Sequence, residues 1–449
     1  MSSPLPAVSC SEGRRENGEF EAQLLALAPA QPVPVQLHLG AAEGEEAQKI
    51  VYFWPEDTDE DAQLKRIGLV EGVVTFSSKF SSAPASSLHT LKERTVFLET
   101  EPNFWLCLTV SVPSSRKQGK ESGEVIEFYP EDASDEVLLA ICQRAYHMFS
   151  LFHSSLAAAL DRCKDDRRLF KEVVAHFFSR YLATLNVEKG DITTVWGGIQ
   201  YLALGAADFL KVQSLVNRME AQFEDMISRT LFLQAGQLVW SGVAAASTEL
   251  LVQYLSTTIL PMLPSLPRQL NGSFLVGHDE NRPSVYVGQE KFYLAVFHAI
   301  NTTLCLLLRA SPHKAFLASF KETFGEEVGH LSADLTHQYI SRPGATTTPH
   351  PNVSFLYFNG ANLALKSLVE EGQERLIKVG ADFLLDGRRL GDTHGEVMVK
   401  LSSDEWVVVQ VSGPRIILQL FADKNLNLIE VAEAVTRLEK TSFDSICML

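Results

Sequence analysis

One order of secondary-structure elements, β-β-α-β-β-β-α, is predicted three times along this chain, and it restricts the possible folds more than any other feature. The first copy begins with predicted strands at 33–39 and 49–54, and the third ends with a helix at 427–440. The arrangement recurs without recurrence of residues, as in three copies of one small fold. An antiparallel sheet with helices on its faces suits this order. The fold class is therefore α/β (α+β), with three tandem domains.

The predicted domain boundaries follow from these copies. Domain 1 covers residues 31–186, domain 2 covers 187–341 and domain 3 covers 342–449. Residues 1–30 are rich in Ser, Pro, Glu and Ala without a period, so we expect a disordered tail there. A length of 449 residues agrees with about three domains.

The stretch 62–80 is the predicted helix of the first copy, and it carries more apolar surface than one helix face can bury. One stripe contains Leu64, Ile67, Val70 and Val74, and the second contains Leu69, Val73, Phe76 and Phe80. A surface helix needs only one such stripe toward its own sheet. Gly68 and Gly72 each cost about 1 kcal/mol relative to Ala within a helix, so they indicate close approach of another segment. We predict that the second stripe and the two glycines contact a partner. The alternative is a helix buried wholly inside its own domain.

Two further groups are candidate contact residues. Phe104 and Trp105 begin a predicted strand at 104–112, and they lie either in the sheet core, which strand alternation favours, or at the partner interface. Arg116, Lys117 and Lys120 lie in a predicted loop at 113–123. They are candidates for contact with a membrane or an acidic partner, and a plain solvated loop is the alternative.

Composition excludes several classes of function. The 39 basic and 55 acidic residues leave a net charge of −16, which argues against nucleic-acid binding, since that affinity comes from basic residues neutralising phosphates. The six cysteines are scattered without a CxxC pair, and no signal peptide is recognised, so we expect a reducing cytosolic compartment. No run of 18 apolar residues predicts a transmembrane helix.

No catalytic or metal-binding pattern is present in the sequence. It lacks GxxxxGK[ST], GxGxxG after a strand, HExxH and GxSxG. Cys142, His147 and His153 share a predicted helix, but spacings of five and six place them on different faces. We therefore expect no covalent catalysis, no metal and no cofactor.

Six blocks of sequence, taken together and in order, resemble the calcium–caffeine–zinc sensitivity (CCZ) family of vacuolar fusion proteins. They are KIVYFWPEDTDEDAQLKRIGLVEGVV (49–74), SLHTLKERTVFLETEPNFWLCLTV (87–110), FLKVQSLVNRME (209–220), LFLQAGQLVWSG (231–242), FLYFNGANLALKS (355–367) and KNLNLIEVAEAVTRL (424–438). No single block is a catalytic signature. The collinear set, over about residues 33–442, is what makes the resemblance specific.

The resemblance implies three tandem longin domains and a role in vesicle-mediated transport. Members of the family pair with the monensin-sensitivity (MON) longin protein as an obligate heterodimer. That heterodimer is the guanine-nucleotide exchange factor for the late-endosomal GTPase Rab-seven, and a β-propeller subunit joins it in animals. The resemblance thus implies a cytosolic protein recruited peripherally to late endosome, lysosome and autophagosome membranes. Exchange remodels the GTPase without covalent chemistry, so an empty motif search agrees with it.

Three other interpretations remain. A Hermansky–Pudlak-type longin subunit acting on Rabs of lysosome-related organelles typically carries a long insert, which this chain lacks. A longin trafficking scaffold without exchange activity is the second. The third, a metal-free hydrolase, has no nucleophile constellation to support it.

Overall fold

The computed structural model describes residues 22–27, 49–81, 85–118, 124–129, 134–185, 192–265, 269–277, 283–340, 353–369, 377, 379–384 and 394–442. These residues form two compact units. The first runs to Tyr146 and resumes at Cys163, and the second comprises His147–Arg162 and the chain beyond 191. The first unit contains one large sheet, and the second contains two.

The first unit is built on an antiparallel sheet with strand order β2-β1-β5-β4-β3. Its strands are Ala22–Leu27 (β1), Ile50–Trp54 (β2), Ser87–His89 (β3), Glu93–Glu101 (β4) and Phe104–Ser111 (β5). Helix Glu60–Ser78 (α1) connects β2 to β3, and a hairpin of Ser114–Gln118 (β6) and Glu124–Phe128 (β7) follows β5. Helix Asp135–His153 (α2) begins in this unit and continues into the second, and helix Leu156–Arg162 (α3) belongs to the second unit. Helix Arg167–Leu182 (α4) belongs to the first unit and packs on β2.

The predicted helix at 62–80 is confirmed as α1. Asp59 caps it, accepting a 3.4 Å hydrogen bond from the amide of Ala62, and Glu60 and Asp61 in the first turn suit the positive end of the helix dipole. The first apolar stripe faces the sheet, with Ile67, Val70 and Val74 buried.

The structure corrects two strand predictions in this unit. Ala22–Leu27 lies inside the stretch predicted to be a disordered tail, yet it pairs with β5 on one side and β2 on the other. The apolar run AQLLAL is short, so the polar composition of its surroundings concealed it. The residues at 124–129 predict a further strand of the repeated sheet, but Glu124–Phe128 forms the separate hairpin and Ser87–His89 occupies the sheet edge. The predicted strand at 33–39 lies outside the described residues.

In the second unit, the first sheet has the order β10-β9-β14-β13-β11, with β12 also paired to β13. Its strands are Ile227–Gln234 (β9), Gln237–Ser241 (β10), Ser273–Val276 (β11), Ser284–Val287 (β12), Glu290–Ala299 (β13) and Thr302–Leu308 (β14). Helix Ala206–Gln222 (α6) precedes the sheet, Ala245–Tyr254 (α7) follows β10, and Lys314–Leu335 (α8) follows β14. Helices α6 and α8 share one core with the sheet. The Pro-, Gly- and Asn-rich stretch 261–283 predicts a loop, but it contains β11.

The other sheet of this unit has the order β17-β18-β19-β15-β16-β8. Its strands are Ile199–Gln200 (β8), Val353–Asn359 (β15), Ala364–Leu368 (β16), His394–Lys400 (β17), Trp406–Ser412 (β18) and Arg415–Phe421 (β19). Residues 377 and 379–384 are helical (α9) and cover one face, while Leu428–Ser442 (α10) covers the other. Short helix Ile192–Trp196 (α5) places Trp196 against Phe358, with ring centroids 5.0 Å apart.

The three sheets share one topology. When the strands of each copy are numbered along the chain, their order across the sheet is second, first, fifth, fourth, third, with the third strand split into β11 and β12 in the second copy. The predicted fold class, antiparallel sheets flanked by helices in repeated order, is confirmed. Strand β8, predicted to belong to domain 2, pairs instead with β16 of the third sheet.

Candidate partner-binding site

Helix α1 exposes an apolar face that no described residue covers. Leu69, Phe76 and Phe80 are 54%, 66% and 77% exposed, and the rings of Phe76 and Phe80 lie 4.8 Å apart. Val73 is half-buried against the core, so it contributes only an edge to this face. We call Gly68, Leu69, Gly72, Phe76 and Phe80 the outer face of α1. Large apolar side chains grouped in this way typify an interaction surface.

The two glycines of the outer face have no packing role among the described residues. A Cβ atom added at Gly68 or at Gly72 would meet nothing within 4 Å. Helix α8 has two glycines at the same spacing, and there the chain's own loop fills the space: a Cβ at Gly325 would lie 2.5 Å from the carbonyl oxygen of Asn271, and one at Gly329 would overlap that of Leu270. The space beside the paired glycines is therefore filled in α8 and empty in α1.

Ion pairs hold α1 on its sheet. Lys49 Nζ lies 3.1 Å from Glu71 Oε1, and Arg66 Nη2 lies 2.9 Å from Glu93 Oε1. The first pair is largely shielded from solvent, whereas the second is partly exposed and so contributes less. Together they fix the helix to β4 and the start of β2, so the outer face is presented by an anchored element.

The structure separates Phe104 and Trp105 from the outer face of α1. Phe104 is buried on the opposite side of the sheet, in edge-to-face contact with Phe170 of α4 at 6.2 Å. Phe104 therefore lies in the core, the alternative that strand alternation favours, and its role as a partner-contact residue stays a prediction. Trp105 points the other way and is partly buried in the cluster beneath α1. Both residues support the sheet that carries α1.

Two of the three basic candidates lie on a strand rather than in a loop. Arg116 and Lys117 are on strand β6, opposite Ile126 and Val125 of β7, which corrects the predicted loop at 113–123. Lys120 lies outside the described residues. Sequence reasoning did not select Leu91, which is 71% exposed in the turn between β3 and β4. A single leucine among polar residues gives no periodic signal.

The possible metal ligands and the buried cysteines among the described residues supply no reactive centre. No group of three His, Cys, Asp or Glu side chains among them could hold a metal ion. Burial raises the pKa of Cys142 and of Cys305 to about 12, and it also raises the pKa of Cys107. These thiols are protonated at neutral pH and are poor nucleophiles. In the part of the chain that the structure describes, no helix is long and apolar enough to cross a membrane.

The repeated antiparallel sheets flanked by helices define a protein of the longin class. A family profile described as the first longin domain of INTU, CCZ1 and HPS4 matches residues 37–154, and one described as Intu longin-like domain 2 matches residues 227–336. Curated relatives named vacuolar fusion protein CCZ1 homolog match along most of the chain. The Xenopus tropicalis protein is 32% identical, covering 91% of this chain and 95% of its own length, and the Nematostella vectensis protein gives the same figures. The Dictyostelium discoideum protein is 23% identical over 88% of this chain and 93% of its own.

The chain belongs to the CCZ1 family of vacuolar fusion proteins. The family resemblance in the sequence blocks is thereby confirmed. The two profiles match residues of the first and second sheets, and the third sheet has the same strand order.

Proposed function

We propose that this chain is one subunit of a heterodimeric guanine-nucleotide exchange factor that activates the late-endosomal GTPase Rab-seven. Its partner is the monensin-sensitivity longin protein, and the complex serves endosome maturation and lysosome and autophagosome fusion. The chain is cytosolic and is recruited peripherally to those membranes, with a β-propeller subunit joining in animals. Membership of a family named for vacuolar fusion supports this role in trafficking.

The uncovered outer face of α1 is the observation that carries the proposal. Its three exposed side chains are each worth roughly 1.5–3 kcal/mol when removed from water. Its open glycines let a partner backbone come as close as the loop at 269–272 comes to α8. A subunit that must join a second longin chain requires a surface of this kind.

Exchange by such a complex needs no reacting side chain of its own. An exchange factor binds the nucleotide-free GTPase more tightly than the nucleotide-bound form, and by linkage this preference weakens the nucleotide's own binding. Positioning of the GTPase by a rigid platform is sufficient. The lack of a catalytic cluster among the described residues is compatible with this mechanism.

The direct test is release of a fluorescent guanine nucleotide from purified Rab-seven. Release should accelerate with the co-purified heterodimer and should remain at its intrinsic rate with this chain alone. A well-formed heterodimer that leaves the rate unchanged would refute exchange activity and favour the scaffold interpretation.

Substitutions on α1 test the surface itself. Leu69→Asp and Phe76→Asp should each lower partner capture at least about tenfold, a loss of about 1.4 kcal/mol, because an unpaired carboxylate would enter an apolar interface. The isolated chain should keep its melting temperature, since both residues are exposed. Leu210→Asp is the matched control: Leu210 is 59% exposed on α6, in the other unit. Equal capture by all three variants would show that α1 is not the interface.

A further inference from the structure

The third sheet ends in a longer and more regular edge strand than the corresponding edges of the other two sheets. In every copy the third strand lies at the sheet edge. In the first copy this strand, β3, has only three residues. In the second it is divided into β11 and β12, of four residues each, and the register of β11 is broken between Phe274 and Val276. Short and irregular edges are how sheets avoid pairing with other chains.

Strand β17 is neither short nor irregular. It has seven residues, and it pairs with β18 in unbroken register from His394↔Ser412 to Lys400↔Trp406. It contains no proline, and within the described residues no strand pairs with its outer side. Val397 at its centre is 44% exposed. A regular strand with an open row of backbone donors and acceptors is a template for another strand.

The charged residues of β17 indicate what kind of strand can pair with its open edge. Glu396, Met398 and Lys400 alternate along one side of the strand, so their side chains share a face. Gln410 of β18 donates a 3.0 Å hydrogen bond to Glu396, and the ammonium of Lys400 lies 5.9 Å from the centre of the Trp406 ring. Lys400 Nζ also lies 3.1 Å from Asp404 Oδ1 in an exposed and therefore weak ion pair, which a carboxylate from a second strand can join or replace. One negative and one positive group thus lie at the edge, two positions to either side of Met398.

We infer that β17 pairs antiparallel with β17 of a second copy of this chain, with Met398 on the two-fold axis. In an antiparallel pair, residues on the same face lie opposite one another. Centring on Met398 places Glu396 of each copy opposite Lys400 of the other, so two cross-strand ion pairs form. The other face brings Val397 of each copy opposite Val399 of the other and covers the exposed valine. Centring on Val397 instead would leave Glu396 opposite Met398 and would form neither ion pair.

Charge reversal tests this register in the full-length chain. Sedimentation velocity over two decades of micromolar concentration should show reversible dimerisation of the wild type. Glu396→Lys alone and Lys400→Glu alone should each weaken it by about tenfold or more, since two attractive pairs become repulsive. The double variant should recover wild-type association, and the two single variants should pair with each other when mixed. Circular dichroism melting of each variant checks that the chain is folded.

A cross-link provides a second measurement that does not depend on charge. Met398→Cys, combined with Cys10→Ser and Cys447→Ser, should give a disulfide dimer under mild oxidation, because opposed residues have Cβ atoms about 4.5–5.5 Å apart. The native Cys107, Cys142, Cys163 and Cys305 are buried and should not compete. A wild-type chain that stays monomeric would overturn self-pairing, as would single reversals that dimerise normally. A cross-link from the introduced thiol to a different co-purified chain would likewise overturn it, by showing that another protein occupies the edge.

Discussion

Replacing Gly68 and Gly72 by alanine should stabilise the isolated chain while impairing its assembly. Both glycines lie in the interior of α1, and an added methyl group at either would meet nothing within 4 Å. Alanine is favoured over glycine inside a helix by about 1 kcal/mol per residue. The double variant should therefore gain about 2 kcal/mol. For a unit of this size, that corresponds to a rise of roughly 4–8 °C in melting temperature.

The measurement should report on α1 itself, because the chain has two units that need not unfold together. Hydrogen exchange of α1 amides, followed by mass spectrometry, should slow in the double variant, and the first thermal transition should move upward. Capture of the longin partner should fall, since two methyl groups would occupy the space proposed for its backbone.

Helix α8 provides the matched control for the same substitution. Gly329→Ala should destabilise the second unit by roughly 1–3 kcal/mol, because the new Cβ would overlap the carbonyl oxygen of Leu270. The sign of the effect should thus differ between the two helices. An α1 double variant with unchanged stability and unchanged partner capture would refute the reasoning.

Two other substitutions test the core and the pH dependence. Phe104→Ala should cost the first unit roughly 3–5 kcal/mol in chemical denaturation, because the ring is buried against Phe170; Leu91→Ala, at an exposed position in the same unit, is the control, and equal costs would contradict the assigned burial. Burial raises the pKa of Glu220, an effect opposed by its contacts with Thr230 and Arg229. Its ionisation therefore disfavours the native state as pH rises above the ordinary carboxyl pKa and through the raised one. Glu220→Gln should be more stable than the wild type at neutral pH, with the difference shrinking as the pH falls below the ordinary value. A difference that grows in acid would show the opposite pKa shift.

Two hairpin turns show how much of the backbone conformation the local sequence predicts. Ala235-Gly236, between two β-like runs, predicts a hairpin, and this hairpin is confirmed with both residues at positive φ, 49° and 80°. Asn359-Gly360 predicts a second hairpin, because both residues tolerate positive φ. That hairpin is also confirmed, but its loop extends from Gly360 to Leu363, and Leu363 rather than Asn359 or Gly360 has positive φ. The dipeptide indicates that the chain reverses, whereas the packing of the strands determines the loop length and which residue has positive φ.

The buried face of a helix is likewise predicted only in part by the local sequence. The apolar spacing in α4 predicts a buried stripe of Phe170, Val173, Phe177, Tyr181 and Leu185. Phe170 is buried as predicted, but the other buried residues are Val174 and Phe178. The rings of Phe178 and Tyr52 stack with their centroids 5.9 Å apart. Contact with the sheet therefore determines that Phe178 rather than the adjacent Phe177 is buried. Periodicity alone cannot make that choice, because both residues are apolar.

Local periodicity and collinear blocks of residues were sufficient to predict most of the elements, their threefold order, the two-faced character of α1 and the family. Packing in three dimensions was needed to show that Ala22–Leu27 joins the first sheet, that Phe104 is core, and that the glycines of α1 are open while those of α8 are filled. It also showed which edge strand is long enough to accept a second chain. These properties depend on which residues, distant in the sequence, pack against a given position, and a local sequence pattern contains no information about those contacts.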